Sequence, residues 1–109
     1  MSSRIKPSLH EVLNYPEESR RMLMQGFADA VDRIAANNRR TDIELFQVCR
    51  ALNEPNVPTL LSLREKGLPA YKAGEWRIDC RSFRKWATTY TPYHPNRKPQ
   101  AIYKEEQLF

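Results

Sequence analysis

One stretch constrains the chain more than any other. It runs from Gly67 to Trp86 and reads Gly-Leu-Pro-Ala-Tyr-Lys-Ala-Gly-Glu-Trp-Arg-Ile-Asp-Cys-Arg-Ser-Phe-Arg-Lys-Trp. Gly67 can close a preceding helix, because glycine adopts the left-handed conformation that ends helices. Tyr71-Lys72 and Trp76-Arg77-Ile78 are short extended runs on either side of Ala73-Gly74-Glu75, the pattern of a tight hairpin. Asp79 is placed to cap the next helix, its carboxylate accepting from free first-turn amides. Cys80, Phe83, Trp86, Ala87 and Tyr90 then recur at helical spacing, with Arg81, Arg84, Lys85 and Thr88 on the other face.

Two helices are predicted before Gly67. Thr41-Asp42-Ile43-Glu44 has the form of a capping box and opens a helix to Asn53, with Leu45, Phe46, Cys49 and Leu52 inward. Glu54-Pro55-Asn56-Val57-Pro58 is the turn, and a second helix spans Pro58 to Lys66. Two helices, a short turn and a following hairpin match a winged helix-turn-helix. The expected fold is therefore mainly α with a small β-hairpin wing. It divides into an N-terminal helical extension over 1–40, a winged core over 41–90 and an extended, Pro-rich basic tail over 91–109.

The order Gly67, Leu68-Pro69-Ala70-Tyr71-Lys72, Gly74, Trp76-Arg77-Ile78, Asp79 and Trp86 resembles the DNA-binding domain of phage and plasmid excisionases and their MerR-like winged-helix relatives. The likeness is strict over about a fifth of the chain and extends to residues 41–90 with the preceding helices. It implies a recombination directionality factor. Such a protein binds and bends attachment-site double-stranded DNA and helps an integrase or other recombinase excise a prophage or mobile element. Many also regulate a nearby promoter. The implied setting is the cytoplasm of a bacterial host cell, at the nucleoid, with cooperative or homo-oligomeric assembly on DNA. The chain departs from the family at Glu54–Pro58, where a small polar turn is usual, so the register of the recognition helix stays open by one or two residues.

Charge agrees with that expectation. The net charge is +5. Residues 58–90 carry seven Lys/Arg against three Asp/Glu, whereas 41–57 carry one against three. A polyanionic partner suits such a surface, and so does plain solvation. On the second helix Leu60, Leu61 and Leu63 point inward. Thr59, Ser62 and Lys66 lie opposite, where they could meet base edges or phosphates. Arg64 falls near the inward side and can snorkel to a phosphate or serve structure. Lys72 and Arg77 flank the wing turn and could enter a minor groove. Arg81 lies beside a cap that favours phosphate, and Arg84 and Lys85 follow on the outer face. Tyr71 and Trp76 are expected to pack under the hairpin, and Phe83 and Trp86 in the core.

Upstream, Pro7 opens a short helix carrying Leu9, Val12 and Leu13, broken at Asn14-Tyr15-Pro16. A long helix follows to Ala36, with Leu23, Phe27, Ala30, Val31 and Ile34 as one apolar stripe. The stripe either packs on the core or, through Leu23, Phe27, Val31 and Ile34 aided by Met22 and Met24, meets a second protomer or recombinase. The segment Thr91 to Pro99 holds three prolines, with Arg97 and Lys98 available to a DNA backbone. The final Gln107-Leu108-Phe109 reads as a docking motif, a strap over the core or a mobile end.

The chain offers no Gly-rich phosphate loop, no metal cluster and no Ser/His/Asp arrangement, and neither His10 nor His94 reads as a ligand or base. It is read as a non-enzyme without cofactors or metal. Cys49 and Cys80 lack metal spacing and suit small core positions, a disulfide being the other option. No apolar run is long enough for a membrane, and the expected compartment is reducing. Three alternatives stand beside the excisionase: a dedicated transcription regulator, a phage terminase small subunit, and a protein-binding adaptor that keeps the winged fold. Glu65 and Glu75 near the presumed DNA face favour the adaptor.

Overall fold

The computed structural model describes residues 6–92. His94, Arg97, Lys98 and Gln107–Phe109 lie outside the described residues. Helix α1 (Leu9–Val12) is capped by Ser8, whose hydroxyl accepts from the Glu11 amide at 3.2 Å while the Glu11 carboxylate accepts from the Ser8 amide at 2.9 Å. Helix α2 (Glu17–Asn37) is entered through Pro16, and Glu17 and Glu18 sit at the positive end of its dipole.

Beyond α2 the chain forms β1 (Asp42–Glu44), α3 (Leu45–Cys49), α4 (Val57–Leu61), a 3-10 helix (Ser62–Lys66), β2 (Ala70–Ala73), β3 (Glu75–Asp79) and α5 (Cys80–Thr89). The protein is thus mainly helical, with one small antiparallel sheet in the order β1-β3-β2.

The sheet corrects the expected two-stranded hairpin. It also corrects the capping box at Thr41–Glu44. Residues 42–44 are a strand, and α3 starts only at Leu45, with the Glu44 amide donating to Gln47 Oε1 at 3.4 Å. The reason is tertiary. Ile43 lies opposite Ile78 on β3, and Ile78 lies opposite Ala70 on β2. All three side chains are buried. Burying an isoleucine contributes about 1.5–3 kcal/mol, against about 1 kcal/mol for a typical capping residue. Helix α3 is correspondingly short, and the turn after it closes with Asn53 in a left-handed conformation at φ 58°, which asparagine tolerates.

Two boundaries fall where the residues predict. Gly67 ends the 3-10 helix at φ 99°. Asp79 caps α5, its carboxylate accepting from the Ser82 amide at 3.0 Å. Phe83 and Ala87 of α5 are buried, and Cys80, Trp86 and Tyr90 are half-buried against the same core.

That core is continuous. Leu9 and Val12 of α1, Met24, Ala28, Val31 and Ala35 of α2, and Ile43, Leu60, Leu63, Ile78 and Phe83 belong to one cluster. Helix α2 packs chiefly on α5. Its apolar stripe is consumed there: Val31 is fully buried, Phe27 is 8% exposed, and Leu23 and Ile34 are partly covered. The partner-contact role for Phe27 and Val31 is corrected accordingly, as is that for Met24, which is buried. Met22 projects into solvent from the opposite side.

Candidate nucleic-acid interface

The candidate face is built on α4 and the 3-10 helix. Asn56 starts α4 by accepting from the Thr59 amide at 2.8 Å, and Pro58 sits in the first turn, where no amide is missed. Leu60 and Leu63 anchor the segment in the core. The expected single helix from Pro58 to Lys66 is instead an α-helical turn that tightens into a 3-10 helix at Ser62. Ser62, Arg64, Glu65 and Lys66 are exposed, and Thr59 is half-buried.

Trp86 fixes the end of this segment from behind. Its indole Nε1 donates to the Lys66 carbonyl at 3.0 Å. That bond satisfies one of the carbonyls a helix C-terminus leaves free.

The hairpin is joined to the 3-10 helix through Trp76. The Arg64 guanidinium stands 5.1 Å from the centre of its ring, and the Lys72 ammonium 5.8 Å. Lys72 lies directly across from Trp76 in the register of β2 and β3, which is why its stem reaches the ring. Cations at these distances are attracted by the ring face. Trp76 is half-buried, as its expected place under the hairpin requires, whereas Tyr71 is 39% exposed and turns its hydroxyl to Asp42. Among the described residues, Arg64, Lys66, Lys72, Arg81 and Lys85 enter no ion pair. Arg81 and Lys85 are exposed on α5.

Two of the expected DNA contacts are committed elsewhere. Arg77 lies on the outer face of the central strand, opposite Glu44, and donates to Asp42 at 2.8 Å. Tyr71 adds a hydroxyl to Asp42 at 3.1 Å, and Arg40 adds a further bond at 3.2 Å. The Arg77 guanidinium, more than any other neighbour, holds the Asp42 carboxyl down at about 2. The same bond raises Arg77 above its ordinary value. Arg77 therefore braces the three strands and is not a free phosphate donor. Arg84 is likewise committed to α2, donating to Asp29 and Asp32 at 2.6 Å each. Those carboxylates raise its pKa. Both corrections have one physical cause: an arginine near carboxylates of another element gains from charge-assisted hydrogen bonds to them.

The fold also makes a constellation that the sequence hides. His10 lies on α1. Its Nδ1 donates to Glu54 at 2.9 Å and its Nε2 meets Ser62 Oγ at 3.0 Å. The His10 amide donates to the same carboxylate at 2.9 Å. Glu54 is only 6% exposed. Ser62, His10 and Glu54 thus stand in one hydrogen-bonded series. The Ser62 hydroxyl donates to the Thr59 carbonyl at 2.6 Å, and its amide bonds inside the helix. The trio ties α1 to the start of the 3-10 helix and holds Ser62 in one rotamer. The spacing gives no signal of it, because its members are 44 and 52 residues apart.

Cys49 is buried and Cys80 half-buried; both are free, and burial pushes both thiols up. Among the described residues no group of three His, Cys, Asp or Glu side chains could hold a metal, and no helix is long and apolar enough to cross a membrane. Comparison with known proteins gives no matching protein-family model, no similar curated protein and no similar solved structure.

Proposed function

We propose that the protein binds double-stranded DNA through a winged helix-turn-helix and acts as an excisionase. In this reading α3 and α4 form the helix pair, α4 and the 3-10 helix lie in a major groove, and the β2–β3 hairpin is the wing. The succession of α2, β1, α3, α4, β2 and β3, with β1 closing on β3, is an order such a fold can use. The contacts are Thr59, Ser62, Arg64, Lys66 and Lys72, with Arg81 a further phosphate contact.

One observation carries the proposal: Arg64 and Lys72 converge on one indole from two different elements, without a carboxylate partner among the described residues. Two like charges gathered within about 6 Å of one ring gain from an anion that neutralises both. A phosphate backbone running from helix to wing would neutralise both. Ser62 is then limited in what it can read. Its proton belongs to Thr59, so toward DNA it is an acceptor, suited to a base amino group and unsuited to phosphate.

The excisionase assignment within DNA binding rests on the motif from Gly67 to Trp86. Footprinting on DNA from the chain's own genomic neighbourhood, across a salt series, tests it. Several phased protected repeats beside an attachment site, with enhanced cleavage from bending, are expected. A single inverted repeat over a promoter would make the protein a transcription regulator, and protection of a packaging site a terminase small subunit. The adaptor reading has its own support in Phe46, expected inward but 64% exposed beside Glu44, Glu75 and Trp76. Absence of protection at low salt would favour it.

A further inference from the structure

We propose that the cavity between Phe46 and Trp76 is a docking site for a protein partner, which inserts an arginine side chain carried beside an apolar residue. The cavity is about 240 Å³ and is lined by Glu44, Leu45, Phe46, Val57, Glu75 and Trp76. The end of β1, the first turn of α3 and the first residue of α4 form one side of it, and the start of β3 forms the other.

Three observations carry the assignment. Size is the first. Pockets for whole small molecules run to about 300–1,000 Å³. This one is smaller and suits a single protruding side chain.

The walls are the second. Phe46 is largely exposed although its neighbour Leu45 is buried. A polar residue there would leave the core untouched, and a phenylalanine left in water forgoes about 1.5–3 kcal/mol of burial. A partner that covers the ring recovers it. Trp76 brings a second, half-buried ring to the same cavity. Aromatic rings attract cations, and a planar guanidinium can also stack on them. The Trp76 ring already draws one, the Arg64 guanidinium at 5.1 Å.

Charge complementarity is the third. In a chain of net charge +5, the polar members of this cavity are two carboxylates, Glu44 and Glu75. Glu75 is exposed beside the hairpin turn. Glu44 holds Arg77 only at 3.7 Å, so its oxygens can accept further bonds. The fork of a guanidinium matches a carboxylate, whereas a phosphate would be repelled by both. The surface therefore takes a basic protein segment and not nucleic acid. An apolar neighbour of the inserted arginine would cover Phe46 and Val57.

Nuclear magnetic resonance of the full chain tests this. The two indole N–H signals, of Trp76 and Trp86, are separate reporters. The probe is an acetylated and amidated leucine–arginine–leucine peptide. The Trp76 signal is expected to move saturably while that of Trp86 stays. The same peptide with neutral citrulline for arginine should leave both in place. Phe46→Ala and Glu75→Gln change exposed positions, and each should weaken binding about five- to tenfold. An unmoved Trp76 signal, an equal shift with the citrulline peptide, or unchanged affinity in Phe46→Ala would overturn the proposal. Free L-arginine binding as tightly as the peptide would also overturn it, since the cavity would then hold a small molecule. So would a Trp76 signal that moves with protein concentration alone, since the occupant would then be a second copy. The experiment contains no DNA, so its failure leaves the DNA reading standing.

Discussion

Trp86 and Gly67 are locked together. The indole nitrogen that bonds the Lys66 carbonyl stands 3.0 Å from where a Cβ on Gly67 would lie. Gly67 is therefore required twice, by its φ of 99° and by the ring above it. Gly67→Ala is expected to cost about 1–3 kcal/mol from backbone strain, with the displacement of Trp86 added. Urea unfolding would measure it. Trp86→Phe keeps an aromatic ring but removes the hydrogen bond and part of the indole's volume, so a loss of about 1 kcal/mol from the bond, with a packing loss added, is expected. Equal stability of Gly67→Ala and the parent chain would show that the 3-10 helix does not end as described.

The Asp42 network predicts an acid limb. Its carboxyl titrates at about 2 in the folded chain against an ordinary 3.8, with the Arg77 bond as the main cause. The folded state then holds fewer protons than the unfolded one between those values. The contribution is complete above about pH 4 and is lost as pH falls toward 2. Denaturation midpoints from pH 5 to 2 should fall for the parent chain. Asp42→Asn should be less stable at pH 5, with a shallower fall in that window. Parallel curves for the two proteins would remove Asp42 from the account.

How much of this was legible depends on the range of each interaction. The boundaries at Gly67 and Asp79 are written in residues that act on their immediate neighbours, so the sequence displays them. The inward faces of α2 and α5 are legible for the same reason, through spacing. The strand at Asp42–Glu44 is not, since a local capping pattern competes there with an Ile43–Ile78 pairing that no spacing reveals. Arg77 and Arg84 read as free cations because their carboxylate partners are 35, 52 and 55 residues distant. His10 reads as idle for a like reason. Within the candidate site, what sequence displays is which cations exist; what it conceals is which are already neutralised.

Arg84 is expected to act as a clamp between α2 and α5. It meets Asp29 and Asp32 at 2.6 Å, yet the three side chains are 35–49% exposed, so water screens the pairs. A stability loss of about 0.5–1 kcal/mol is expected for Arg84→Ala, in the range of exposed pairs with good geometry. A double-mutant cycle with Asp32→Ala would isolate the coupling and should show it shrinking in high salt. Zero coupling at low salt would mean that the helices hold by apolar packing alone.

His10 and Glu54 predict a larger effect with a positional readout. His10→Ala would leave a buried carboxylate with the His10 amide but no side-chain partner, at a cost of about 1–3 kcal/mol. Ser62 would also lose its contact with the ring. If Ser62 is an acceptor toward a base, His10→Ala should relax sequence preference at one base position more than it lowers overall affinity. Selection of bound sites from a randomised pool would show this. A uniform drop at every position would assign His10 to folding only.

The sharpest division is between cations that are free and cations that are spent. Each phosphate neutralised on duplex DNA contributes about 0.9 to the slope of log affinity against log salt. Arg64→Ala and Lys72→Ala should each lower affinity and flatten that slope by about 0.9. Arg77→Ala should leave the slope unchanged, because its charge is already matched by Asp42 and Glu44, and should act instead on stability. Trp76→Leu should reduce affinity while keeping the slope, since it removes the platform and no charge. Fluorescence anisotropy on one duplex at four salt concentrations, with all variants folded, makes the comparison. A flatter slope for Arg77→Ala than for Arg64→Ala would move the proposed DNA path from α4 and the 3-10 helix onto the outer face of the sheet.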